Sequence, residues 1–263
     1  DEPHKRASVN QDATAKKPTE GFNFVTPVTV SASAAGKTGQ TDLQPNEGLT
    51  EEPVTGEKSS IEKYALSLGI PHLVHFTRCE NLPGILEHGL MSVATCNKKR
   101  LNPVRNDQYR YDGQLDALSL SVAFPNYLMF YKYRQLLPQA DWAVLLIAPC
   151  ALWQKDCAFY AHNAADARMF RQARDSRKTA QALREMFSDE TSDRDSVLRA
   201  FDPTDPQAEV LVYNTIEPAL IEAVAFETRQ VRERYQPVLA GLESFYAGAG
   251  AGLFASRRQT RAH

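Results

Sequence analysis

Apolar residues in this chain come in short runs, and their spacing switches repeatedly between the two-residue and the helical period. A Ser-Ser-x-Glu start at Ser59 opens a helix through about Leu68, and Gly69 stops it. Pro71–Thr77 reads as a short, mostly apolar strand. Leu82, Ile85 and Leu86 then follow i, i+3, i+4 spacing, with Gly89 as the stop. Met91 to Gly113 is polar and aperiodic, a loop longer than ordinary connectors. Leu118, Leu120, Val122 and Phe124 alternate as a strand, and an aromatic-rich helix over Asn126–Arg134 follows Pro125. Trp142–Ala148 is a buried strand closed by Pro149, and a short strand lies around Cys157–Tyr160. Asn163 to Phe187 has helical composition. Glu209–Tyr213 and Ile221–Phe226 are strands, and about Val231 to Tyr246 is a helical piece.

Residues 1–58 contrast with this. They are rich in small and polar residues, with Phe22 and Phe24 as their aromatics, and bury too little apolar surface to offset the entropy of ordering. They are expected to be a tail or linker, and the start without Met suggests a processed or excised chain. The domain is expected over 59–263. Strands interrupted by short helices, with neither G-x-G-x-x-G nor G-x-x-x-x-G-K-[ST], favour an α+β fold over dinucleotide-binding and P-loop folds.

Net charge and cysteines narrow the chemistry. A formal charge of −2 over 263 residues means that any nucleic-acid surface must be local. No apolar run approaches the roughly 18 residues of a membrane helix. Cys79, Cys96, Cys150 and Cys157 form no C-x-x-C and have no matching His pair, so reduced thiols in the cytoplasm are expected, without a metal.

Three features point to a site. His75 and Thr77 lie on one strand face and can hold a ribose diol or an amide. A loop arginine, Arg105, can bind a pyrophosphate through paired N–H donors. Glu209 sits at the mouth of an apolar strand, where a carboxylate needs a partner or a task. Each feature alone also has an ordinary structural reading: a satisfied strand histidine, a solvated arginine, a solvated strand start.

In order along the chain, His75-x-Thr77, the block Asn81-Leu82-x-x-Ile85-Leu86-x-x-Gly89-Leu90, a loop arginine and Ala208-Glu209-Val210-Leu211-Val212 resemble the DarT family over about residues 70–226. That family comprises toxin ADP-ribosyltransferases that modify bases of single-stranded DNA and are paired with a DarG antitoxin that removes the mark. The resemblance implies an ADP-ribosyltransferase-like split β-sheet with flanking helices and NAD as co-substrate. It assigns Arg105 and Glu209 catalytic roles, with Arg110 the alternative arginine. It places His75, Phe76, Thr77, Gly84, Ser92 and Arg105 around NAD. Asp116 to Tyr127 departs from the Asp-Tyr-Val-Pro-Phe-Tyr-Phe pattern of thymine-modifying members and is more like the guanine-directed branch. Tyr109, Tyr111, Lys98, Lys99, Arg100 and Arg110 are candidate strand contacts, whereas Tyr127 and Tyr131, four apart on a helix, are expected in the core. Transfer to RNA or protein, or a non-catalytic NAD-binding module, are the alternatives.

Overall fold

The computed structural model describes residues 52–105, 114–188 and 194–262, all within a compact unit that begins at Leu49. Residues 1–51 of the N-terminal segment, Tyr109, Arg110 and Tyr111 lie outside the described residues. In chain order the elements are α1 (Glu52–Leu68), β1 (Leu73–Arg78), α2 (Leu82–His88), α3 (Val93–Lys98), β2 (Leu118–Val122), α4 (Tyr127–Leu136), β3 (Trp142–Ile147) and α5 (Ala151–Gln154). They continue with β4 (Cys157–Tyr160), α6 (Ala167–Phe170), α7 (Ala180–Glu185), β5 (Glu209–Val212), β6 (Ile221–Phe226), α8 (Arg229–Tyr235), β7 (Glu243–Tyr246) and α9 (Arg257–Arg261).

The strands form one seven-stranded sheet in the order β4-β5-β2-β1-β3-β6-β7, antiparallel except for the β6–β7 pair. The α+β reading with a central sheet and flanking helices therefore holds, and the sheet is mixed. The strand period sorts side chains between two faces. Leu118, Leu120 and Val122 pack with Leu145, Ile147, Val210 and Val212 under α1, α2, α5 and α7. On the other face Val74, Trp142, Val144 and Ala225 meet Phe130 of α4 and Phe254. Fully buried aliphatic and aromatic side chains of this kind contribute about 1.5–3 kcal/mol each.

Element boundaries differ from the sequence reading in four places. Helix α1 begins at Glu52 rather than Ser59. The aperiodic stretch after Met91 contains α3, capped by the Ser92 hydroxyl on Thr95 N–H. Residues 163–187 break into short pieces, because Arg177 turns inward to donate to the Phe159 carbonyl at 2.9 Å, and Thr179 then caps a new helix. The helix expected over Val231–Tyr246 stops at Tyr235, since Pro237 supplies no N–H, and the chain returns as β7.

Gly89 is required where it stands. Its φ is +87°, and a Cβ there would lie 2.6 Å from the Ile216 carbonyl oxygen. This close approach lets Leu90 and Ile216 exchange backbone hydrogen bonds at 2.9 and 3.0 Å, tying the end of α2 to the connection after β5.

Candidate active site

Strand β1 pairs with β3 from Leu73 to Arg78, but with β2 only at Leu73↔Val122 and Val74↔Ser121. Beyond Val74 the two strands part, and β2 continues its pairing with β5 instead. The split opens a cleft of about 780 Å³, within the roughly 300–1,000 Å³ of small-molecule sites. His75, Phe76, Thr77, Gly84, Ser92, Arg105 and Glu209 all line it, so the fold gathers these seven candidate residues in one place, while the alternative arginine, Arg110, lies outside the described residues.

His75 spans the split. Its Nδ1 lies 2.9 Å from the Ser119 carbonyl oxygen, where the parted strands lack a ladder bond. A carbonyl only accepts, so Nδ1 carries the proton, and in the neutral ring Nε2 is the acceptor nitrogen.

Glu209 is 8% exposed at the first position of β5. Ser119 lies two positions diagonally across the β2–β5 ladder, and its hydroxyl donates to Glu209 Oε1. Oε2 accepts the Ala164 backbone N–H at 2.9 Å. Two donors from two different elements therefore set the orientation of the carboxylate.

A second chain of contacts positions Arg105. Asn81 donates Nδ2 to Thr77 Oγ1 at 3.1 Å and to the Val104 carbonyl at 2.9 Å, while its Oδ1 accepts the Val104 N–H at 2.8 Å. The side-chain amide thus stands in for a strand partner and pins the loop one residue before Arg105. Arg105 itself donates to Asn97 Oδ1 of α3 at 2.6 Å.

The remaining predicted residues play distinct parts. Gly84 has an ordinary φ, and among the described residues no atom beyond its own helix backbone lies within 4 Å of where a Cβ would stand. Ser92 is buried, and its hydroxyl caps α3. Phe76 stacks on Phe130 at 4.6 Å and forms an aromatic wall with Tyr133, which also lines the cleft. Tyr131, expected in the core, is 61% exposed; Phe130 is the residue of α4 that turns inward. Lys98, Lys99 and Arg100 are exposed at the end of α3, beside the cleft-lining Leu101–Arg105.

Ser119, Asn81 and Ala164 were not singled out as site residues in the sequence. The period-two Ser119 and Ser121 within an apolar strand were a readable sign, because hydroxyls on one face of such a strand imply a polar neighbour. Ala164 acts through its backbone and leaves no sequence signal.

The environment of the thiols disfavours the thiolate. Burial raises all four cysteines above the ordinary thiol range, with Cys157 pushed up to about 12. Among the described residues no cluster of three or more His, Cys, Asp or Glu could hold a metal, and no helix is long and apolar enough to cross a membrane.

Comparison with the curated proteins finds no match. Among solved structures, Thermus sp. 2.9 DarT in complex with NAD+ is 18% identical, with 67% of this chain and 95% of that chain covered and a TM-score of 0.46. Thermus sp. 2.9 DarT in complex with ADP-ribosylated ssDNA is also 18% identical, with 69% and 94% covered and a TM-score of 0.46. Thermosipho africanus DarTG in complex with ADP-ribose is 17% identical over 70% of this chain, at a TM-score of 0.46, and the match spans 50% of that chain's length. The family model described as ssDNA thymidine ADP-ribosyltransferase, DarT, matches residues 74–246, well over half the sequence, from β1 through β7 and around the whole cleft. The chain belongs to the DarT family of NAD-dependent ADP-ribosyltransferases of single-stranded DNA.

Proposed function

We propose that the cleft transfers ADP-ribose from NAD to a base of single-stranded DNA, with Glu209 as the catalytic carboxylate. The observation that carries this reading is Glu209 held by Ser119 and Ala164 in the cleft that His75, Thr77 and Arg105 also line. The residues suit NAD. His75 and Thr77 offer ring-nitrogen and hydroxyl groups for ribose, Gly84 leaves open space, and Arg105 offers forked donors for a pyrophosphate.

NAD supplies a ribose whose bond to nicotinamide breaks, nicotinamide leaving with the bonding pair while the ribose carbon gains the bond to a base nitrogen. Glu209 stabilises the positive charge that develops on the ribose and orients the incoming base. Arg105 neutralises phosphate and assists loss of the proton from the attacking nitrogen to water, since a guanidinium has no acceptor of its own. A single strand presents its base without the cost of unstacking a duplex. Lys98, Lys99 and Arg100, exposed next to the cleft-lining Leu101–Arg105, neutralise the strand's phosphates.

Guanine as target is supported by the departure of Asp116–Tyr127 from the thymine-modifying pattern, and thymine by the family description. A reducing, cytoplasmic setting is supported by four unpaired cysteines. The family resemblance adds a DarG-type antitoxin as partner, and the composition of the chain supports a catalytic domain over 59–263, which helix α1 extends back to Glu52, preceded by a tail.

The test is incubation with labelled NAD and oligonucleotides of defined base content, followed by mass spectrometry of the modified base. Label reaching no oligonucleotide refutes the DNA reading. Transfer that survives Glu209→Ala refutes the assigned carboxylate.

A further inference from the structure

Residues 247–262 follow β7 and lie beyond the span matched by the family, yet they grip the body of the protein at two separate places. The first is α4. Gly250 N–H donates to Glu227 Oε1 at 3.1 Å, and the same carboxylate pairs with Arg134 of α4. Arg134 also donates to the Phe254 carbonyl at 2.7 Å, and the buried Phe254 ring packs on Phe130 with centroids 5.4 Å apart. The same helix sends Met129 and Tyr133 into the cleft.

The second place is the turn that leads to Glu209. Arg257, itself buried, donates to the carbonyls of Pro203 at 2.7 Å and Thr204 at 3.1 Å. Arg261 donates to both oxygens of Asp202, at 2.9 and 2.8 Å, and Asp202 is 0% exposed. A carboxylate so deeply buried needs this paired cation, and the two-pronged geometry fixes the turn's direction as well as its charge. Three residues further on, Asp205 pairs with His162 Nδ1 at 2.5 Å. His162 stands two residues before Ala164, whose N–H holds Glu209. Hydrogen bonds joined by two short stretches of backbone, 202–205 and 162–164, thus connect Arg261 to both the strand and the loop that orient the carboxylate.

We propose that residues 247–262 are a positioning strap, in which Arg261 and Arg257 set the orientation of Glu209 through the Asp202–Asp205 turn while Phe254 holds α4. The strap acts on the site read above as catalytic, but its mechanical role is tested without relying on that reading. None of its residues lines the cleft, so Arg261 is a positioning residue rather than a catalytic one.

The experiment compares the full chain with Arg261→Gln and Arg261→Lys by hydrogen-exchange mass spectrometry and by steady-state transfer kinetics. Arg261→Gln is expected to raise exchange about tenfold at Ala164 and across residues 202–209, while residues 73–88 keep wild-type rates. Its kcat falls roughly 10- to 100-fold, as for a misplaced catalytic group, with KM for NAD changed less than about threefold. Arg261→Lys keeps the charge but loses the fork and falls between. Adding Asp202→Asn to Arg261→Gln costs no further kcat, because the pair acts as one unit. Unchanged exchange at Ala164 and 202–209 overturns the strap, and so does an equal rise across 73–88, which marks general loosening. Local loosening with full kcat overturns the link to Glu209. Should Arg261→Gln not fold, Arg261→Lys decides on the same two regions. A wild type that transfers nothing refutes the reading of the site and leaves the exchange result to decide the strap.

Discussion

The Ser119 hydroxyl donates to Glu209 Oε1 across 90 residues of sequence, and the Ser119 carbonyl accepts from His75 on the far side of the split. One residue thus sets both walls against each other. Ser119→Ala removes the donor to Glu209 and leaves the carbonyl that holds His75. The expected result is a kcat lowered about tenfold, the scale of one hydrogen bond to a charged group, with KM for NAD nearly unchanged. Steady-state kinetics decide this, and an unaltered kcat would show that the Ser119 hydroxyl is not needed to hold Glu209.

Asn81 makes the opposite kind of contribution. Its amide brackets Val104 on both backbone groups, so Asn81→Ala releases the loop that carries Arg105. KM for NAD should rise about tenfold while kcat falls less, because binding geometry is lost before the carboxylate is disturbed. Isothermal titration with NAD provides a check independent of turnover.

The basic rim predicts a salt dependence. Neutralising Lys98, Lys99 and Arg100 together should flatten the plot of log affinity for an oligonucleotide against log salt by about 2, at roughly 0.7 per phosphate contact on a single strand. Fluorescence anisotropy over a salt series measures it. An unchanged slope would place the strand elsewhere.

Gly89→Ala tests the fold. The added Cβ meets the Ile216 carbonyl at 2.6 Å and the backbone is held at φ +87°, so about 2–4 kcal/mol of stability should be lost. Gly84→Ala, with no tertiary neighbour among the described residues and an ordinary φ, should leave the melting temperature within a degree or two while weakening NAD binding. The contrast between two glycines five positions apart separates a packing constraint from a ligand constraint.

His72 gives the fold a pH dependence. Burial lowers its pKa from 6.5 to about 4, opposed by a backbone hydrogen bond with Ala123 and assisted by Arg261. Below pH 6.5 the unfolded chain takes up a proton that the folded chain refuses until about pH 4. Stability therefore falls as pH drops through that window, by up to about 3 kcal/mol, and levels off below it. His72→Gln should remove that slope in denaturation curves taken between pH 4 and 7.

The core strands and α2 were legible because their periods are local and uninterrupted. Helix α3 was not. Six residues between polar neighbours hold too few turns to show a period, and the Ala94 N–H finds its acceptor at Leu115, across the loop. Tyr131 misled for a related reason: spacing of four places Tyr127 and Tyr131 on one helical face but does not say which face the sheet covers. Phe130 settles that by stacking on Phe76.

What the sequence by itself determined was the order of chemistry along the chain: a His-x-Thr strand, a glycine-ended helix, a loop arginine and a glutamate at the head of an apolar strand. Those features are written in contiguous residues, so periodicity and motif order suffice to read them. What only the tertiary structure decided was how they meet. The parting of β1 from β2, the use of Ser119 on two sides, the Asn81–Val104 bracket and the strap on Asp202 all depend on strand register and on contacts between residues distant in sequence. Local pattern carries no information about such distances, because register is chosen by the whole core at once.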